Sequence, residues 1–159
     1  MPEPTRPLDS AGFAKAAYEA AKNREFPPDV FCAPQLRWAV IGCGVIANQM
    51  ADALALAGRR IEGVANRHVE KARAFADAHG VPRVYQSFEE LYADPDIDAI
   101  YVTTPHNTHI GFLRGALAAG KHVLCEKSIT LNSEELAEAR ELARTHNVVL
   151  MDATTILHM

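Results

Sequence analysis

The sequence predicts a doubly wound α/β fold, a parallel sheet with crossover helices, and three observations carry that expectation. From Leu36 onward, short apolar runs alternate with amphipathic stretches of helical period, the order of a sheet whose strands are joined by helices. Gly58, Gly80, Gly120 and Asn147, residues suited to a left-handed backbone, stand where four of those helices should stop. The first strand runs into Gly42-Cys43-Gly44-Val45-Ile46-Ala47, a Gly-x-Gly-x-x-Ala turn placed where a helix should begin.

Taken in order, strands are expected at 37–41, 61–65, 98–103, 121–125 and 147–151, with a short one near Val84. Each is an apolar run too short for a helix and bounded by turn residues. Helices are expected at 45–57, 69–79, 87–93, 107–119 and 132–146, the last capped by Asn132 or Ser133. Right-handed crossovers wind this order into one sheet whose ligand crevice lies at the carboxyl ends of the strands. Ahead of this domain, residues 36–159, stands an N-terminal arm over residues 1–35. The arm carries a helix from Asp9 to Asn23 with an apolar stripe of Phe13, Ala16, Ala17, Ala20 and Ala21, followed by breakers at Pro27, Pro28 and Pro34. It is expected to pack on the domain or on a neighbouring subunit, and no chemistry is assigned to it.

Composition narrows the partners. The chain of 159 residues is 48% hydrophobic and 23% charged, ordinary for a globular domain, and its formal net charge of -4 offers no basic footprint for nucleic acid. Cys32, Cys43 and Cys125 are odd in number and far apart, so neither a disulfide framework nor a metal site is expected. Residues 1–7, Met-Pro-Glu-Pro-Thr-Arg-Pro, lack a signal-peptide core, and no run of about 18 apolar residues occurs. A soluble cytoplasmic protein without membrane partners is expected.

The turn at 42–47 states its own chemistry. Gly42 lets the chain leave a buried strand sharply, Gly44 removes the Cβ that would bar a diphosphate from the backbone, and Ala47 lets the helix lie close to the strand. The amides and positive dipole end of the helix that opens with Val45 and Ile46 then suit an anion. Such a turn also occurs merely to turn, so its neighbours decide. The second strand ends at Asn66-Arg67, beginning 19 positions after Ala47, where an acid would read a ribose hydroxyl. Asn66 can instead hydrogen-bond a 2'-phosphate and Arg67 can neutralise it, which points to NADP rather than NAD. The alternative is that Arg67 is a solvated surface charge.

Two further strand ends bring polar residues to the same edge. Thr103 and Thr104 follow a buried strand, Pro105 stops it, and Asn107 or Thr108 can cap the next helix. His109 reads as a helix residue bonded inside the fold before it reads as a base, and its i, i+3 pairing with His106 is poor grounds for a metal. Glu126 and Lys127 leave the fifth strand at the crevice, where a partly desolvated lysine can bond a substrate oxygen and assist proton transfer; the bland alternative is a surface ion pair between them.

Over roughly Leu36 to Met159 these motifs resemble the family of glucose-fructose oxidoreductase, inositol dehydrogenase and MocA-like oxidoreductases, whose nucleotide-binding domain is a Rossmann fold. Gly42 to Ala47 looks like its nucleotide turn, Ala65-Asn66-Arg67 with Glu70-Lys71-Ala72 its cofactor-selecting segment, Thr104 to His109 its loop after the fourth strand, and Glu126-Lys127 the start of its Glu-Lys-Pro motif. The resemblance implies NAD(P)-dependent hydride transfer on a sugar, polyol or related hydroxyl or carbonyl compound, with Lys127 at the reacting centre. It implies cofactor contacts from Gly42, Gly44, Val45, Ile46, Ala47, Asn66, Arg67, Thr103, Thr104, Pro105, Asn107, His109, Glu126 and Lys127. Ser128 departs from the family's proline. The residues after Met151 resemble the crossover into the family's second, substrate-binding domain, so a nucleotide-binding half is expected, as a truncation or a shortened gene product, with His158 as a linker residue. Such a half should bind cofactor with little turnover and self-associate as a homo-oligomer through the face it exposes. A non-catalytic dinucleotide-sensing or interaction module is the alternative.

Overall fold

The computed structural model describes residues 35–56 and 58–154. The arm expected before Gln35, Cys32 within it, and His158 lie outside the described residues.

Six strands and five helices alternate: β1 (Trp38–Ile41), α1 (Val45–Leu56), β2 (Ile61–Ala65), α2 (Val69–His79), β3 (Arg83–Val84), α3 (Phe88–Ala93), β4 (Ala99–Val102), α4 (His109–Ala118), β5 (His122–Cys125), α5 (Ser133–Thr145) and β6 (Leu150–Asp152), with a 3-10 turn at His106–Thr108 ahead of α4. All strands pair in parallel, in the order β3-β2-β1-β4-β5-β6. The order reverses direction between β1 and β4, which makes their carboxyl ends the switch point of the sheet.

Strand alternation sorts the core onto two faces. Ala39, Ile41, Ile100, Val102, Val123 and Cys125 meet α3, α4 and α5 through Leu91, Leu113, Leu117 and Ala139. Val40, Val64 and Tyr101 meet α1 and α2 on the other face through Ala47, Ala51, Ala72 and Phe75. The strands therefore read as continuous apolar runs because both faces are covered.

The helix ends follow their local chemistry. Gly58, Gly80, Gly120 and Asn147 all have positive φ, as their places in the sequence predict. Asn132 Oδ1 accepts from the Glu135 amide at 2.8 Å while Glu135 Oε2 accepts from the Leu131 amide at 3.0 Å; Ser87 and Glu90 repeat this capping box at α3. The last strand begins at Leu150, later than the expected 147, because Asn147 is left-handed at φ 54° and the Val148 amide returns to the Ala143 carbonyl, closing α5.

The opposite edge of the sheet, where strands begin, is fastened by charge. Arg37 donates to both Asp98 carboxylate oxygens at 2.9 and 2.7 Å and to Asp96 at 3.0 Å. Lys121, buried at the start of β5, donates through Nζ to the carbonyls of Asp94 (2.5 Å) and Ile97 (2.8 Å). These bonds hold the ends of the strands remote from the crevice.

Candidate functional site

The switch point is built by backbone hydrogen bonds that extend both ladders one step past β1. Gly42 N donates to Ala65 O at 3.0 Å and Thr103 N donates to Ile41 O at 2.9 Å. Gly42 sits at φ +102°, and a Cβ there would lie 2.6 Å from Thr103 Oγ1. Only glycine meets both demands. Gly44 differs: a Cβ there meets nothing within 4 Å, so no protein atom requires a glycine at this position. Val45 and Ile46 are exposed in the first turn of α1, whereas Ala47 is fully buried against the sheet.

A cavity of about 410 Å³ opens at this edge, lined by Gly42 and Gly44 from the turn, Asn66 and Arg67 from the end of β2, and Thr103, Thr104 and Pro105 from the end of β4. Half of the residues expected to meet a cofactor thus line one cavity. Lys71, which the resemblance puts in the cofactor-selecting segment, lines it too, as do His68, Phe88 and Phe112, to which the sequence assigns no role. Lys71 lies on the first exposed turn of α2 and its spacing from Asn66 was a usable signal. The two phenylalanines, whose rings meet edge to face with centroids 4.9 Å apart, come from α3 and α4 and carry no linear signal.

The charge of this wall is one-sided: Arg67 and Lys71 line the cavity beside His68 and no carboxylate does, the Glu70 carboxylate standing 3.6 Å from His68 Nδ1. Neither the Arg67 nor the Lys71 side chain has a hydrogen-bond or ion-pair partner among the described residues. Asn66 Oδ1 accepts from the His68 amide at 2.9 Å, an Asx turn that starts α2 and fixes the Asn66 side chain. Burial pushes the Cys43 thiol up, with Asn66 and Lys71 opposing.

The loop after β4 corrects one expectation. The helix does not begin at 107 under an Asn107 or Thr108 cap: Thr108 makes no side-chain cap bond to α4. Its hydroxyl instead donates to Pro105 O at 2.7 Å and lies 2.9 Å from Thr104 Oγ1, which winds His106–Thr108 into a 3-10 turn and leaves Asn107 exposed within it. His109 is fully buried, with Nε2 2.8 Å from Thr104 O and Nδ1 3.0 Å from Ser128 O. It ties the loop after β4 to the loop after β5.

Glu126 continues the ladder past β5, its amide donating to Val102 O at 2.9 Å. Its Oε1 accepts from the Tyr101 hydroxyl, and no ion pair joins it to Lys127 among the described residues. Lys127 is exposed. Glu126, Lys127 and His109 stand at the same edge without lining the cavity. Among the described residues, no group of three His, Cys, Asp or Glu could hold a metal, and no helix is long and apolar enough to cross a membrane.

Comparison with known proteins gives this geometry relatives. The family model of the Gfo/Idh/MocA oxidoreductases, with an NAD-binding Rossmann fold, matches residues 36–154. The trans-1,2-dihydrobenzene-1,2-diol dehydrogenase of Xenopus laevis is 41% identical over 120 residues, covering 74% of this chain and 36% of that protein. Among solved structures, a 3-ketoreductase from Actinomadura kijaniata in complex with NADP and TDP-benzene matches with a TM-score of 0.73 at 31% identity, covering 79% of this chain and 39% of that one. A UDP-N-acetylglucosamine 3-dehydrogenase from Acidithiobacillus ferrooxidans matches with a TM-score of 0.66 at 31% identity, over 74% and 37% of the two chains. The chain spans a little over a third of the length of the relatives it matches.

Proposed function

The chain belongs to the Gfo/Idh/MocA oxidoreductase family and carries its NAD-binding Rossmann fold, and from that premise we propose that the carboxyl edge of its sheet binds a nicotinamide dinucleotide with preference for NADP. The observation that carries the preference is the pair of cations Arg67 and Lys71 on the carboxylate-free lining of the cavity beside the glycine turn. A carboxylate at the end of β2 would repel a 2'-phosphate, whereas Arg67 and Lys71 are unspent charges in reach of the same space.

The residues present fit the group. Gly44 leaves backbone open where a Cβ would intrude on a diphosphate, and the first turn of α1, Val45 to Ala47, presents unpaired amides to it. Thr103, Thr104 and Pro105 form the opposite wall, with Asn107 exposed beyond them and His109 holding the loop from behind. Glu126 and Lys127 serve the nicotinamide side. When bound, the cofactor supplies hydride exchange at nicotinamide C4. Lys127 would hold a substrate oxygen and assist its proton transfer. Because relatives of this chain are dehydrogenases of a diol and of a nucleotide sugar, the substrate class is a sugar, polyol or related hydroxyl or carbonyl compound.

The same proposal assigns residues 36–159 to dinucleotide binding and residues 1–35 to an arm, and includes residence in the cytoplasm and homo-oligomerisation. Met151 and Leu131, 43% and 61% exposed, are apolar surface that supports self-association. Turnover by residues 1–159 alone should be slow, since Lys127 is exposed and no described residue bonds to orient its side chain. That observation favours, as a second possibility, a non-catalytic dinucleotide-binding module. Calorimetric titration decides the main point: a lower Kd for NADP than for NAD is expected, and equal affinities would overturn the preference. Hydride transfer from a sugar or diol to NADP, followed as the reduced nicotinamide absorbance appears, separates enzyme from module.

A further inference from the structure

Tyr101 is the one tyrosine of the β4 core, 6% exposed, and strand alternation turns it toward the α1 face between Ile100 and Val102, which face the other way. Its in-register neighbour on β5 is Leu124. Glu126, two residues further along the same strand direction, falls on the same face, and the Glu126 amide bond to Val102 O keeps it in the ladder. The Tyr101 hydroxyl thus meets Glu126 Oε1 from below the crevice edge. Burial pushes the Tyr101 phenol well up, and the Glu126 carboxylate adds to it, which favours the neutral phenol as donor. Glu126 Oε2 has no partner among the described residues.

We propose that Tyr101 is a positioning residue for the dinucleotide: by occupying one oxygen of the Glu126 carboxylate it holds the other as the acceptor for ribose hydroxyls on the nicotinamide side. This rests on the dinucleotide reading given above. A free glutamate at a strand end samples several rotamers and loses that freedom on binding; the buried phenol removes this cost beforehand.

The prediction is selective for one half of the ligand. Tyr101→Phe should weaken NADP binding by up to about tenfold, the cost of ordering one side chain on binding. It should leave adenosine 2',5'-bisphosphate, which lacks the nicotinamide riboside, within about twofold. Calorimetry on the chain reads both. In a Glu126→Ala background the Tyr101→Phe effect should vanish, since the hydroxyl then has nothing to hold. Equal weakening of both ligands would mean that Tyr101 only packs the core, and an unchanged NADP affinity would mean that Glu126 needs no support; either overturns the inference while leaving the dinucleotide site intact. Failure of the unaltered chain to bind either ligand would overturn the site and the inference together. If Tyr101→Phe does not fold, additivity of Glu126→Gln with Tyr101→Trp on NADP affinity overturns the inference, and non-additivity supports it.

Discussion

Tyr85 donates its hydroxyl to Asp94 Oδ2 across 2.6 Å, joining the residue after β3 to the C-terminal end of α3. That bond, more than the flanking Asp96 amide and Arg83 guanidinium, holds the Asp94 carboxyl below its ordinary value of 3.8 against the opposing effect of burial. A carboxyl with a depressed folded pKa contributes stability that is fully present above its unfolded pKa and is lost as pH falls through the folded value. Melting temperature followed by circular dichroism should therefore fall more steeply from about pH 4 to about pH 2 in the unaltered chain than in Tyr85→Phe. Parallel curves would show that the bond does not persist in solution.

Gly42 and Gly44 should separate when each is replaced by alanine. Gly42→Ala places a Cβ 2.6 Å from Thr103 Oγ1 at φ +102°, and should cost about 2 kcal/mol of stability in urea unfolding. Gly44→Ala meets no protein atom within 4 Å; its stability should stay within about 0.5 kcal/mol while NADP affinity falls at least about tenfold. Loss of stability in both would make the turn merely structural.

Arg67→Ala and Lys71→Ala should each weaken NADP binding by about tenfold and leave NAD within about twofold, because each removes one charge-assisted partner of a 2'-phosphate. The preference should also shrink as salt is raised, since both side chains are exposed. A loss shared equally by NAD and NADP would place these cations elsewhere on the ligand.

Lys121→Met should cost about 2 kcal/mol, because the carbonyls of Asp94 and Ile97 each lose a donor in a largely buried place. The denaturant midpoint measures this, and an unchanged midpoint would mean that water takes over both bonds.

Much of this was legible in the chain because the fold is a repetition of local decisions. Apolar runs of four or five residues, helices with stop residues of positive φ and the capping pair Asn132 and Glu135 are all written within a few positions of where they act. The glycine turn and Asn66-Arg67 were visible for the same reason. Hidden were the contacts that exist only after the sheet has closed. Phe88 and Phe112 are 24 positions apart and meet at the cavity through the packing of α3 and α4. Tyr101 and Glu126 are 25 apart and meet across the pairing of β4 with β5. The start of α4 was misjudged because a threonine hydroxyl donates as well as accepts: Thr108 donates to Pro105 O and accepts from no helix amide.

The bond from Gly42 N to Ala65 O has one more consequence. It anchors the turn through main-chain atoms only, so the side chains that begin two residues beyond its acceptor, at Arg67, contribute nothing to keeping the turn in place. On the proposed reading, holding a diphosphate and choosing between two dinucleotides would be separable duties, assigned to neighbouring strands. On that reading, selection or design could exchange the chooser from Arg67 to Lys71 while the cradle keeps its shape.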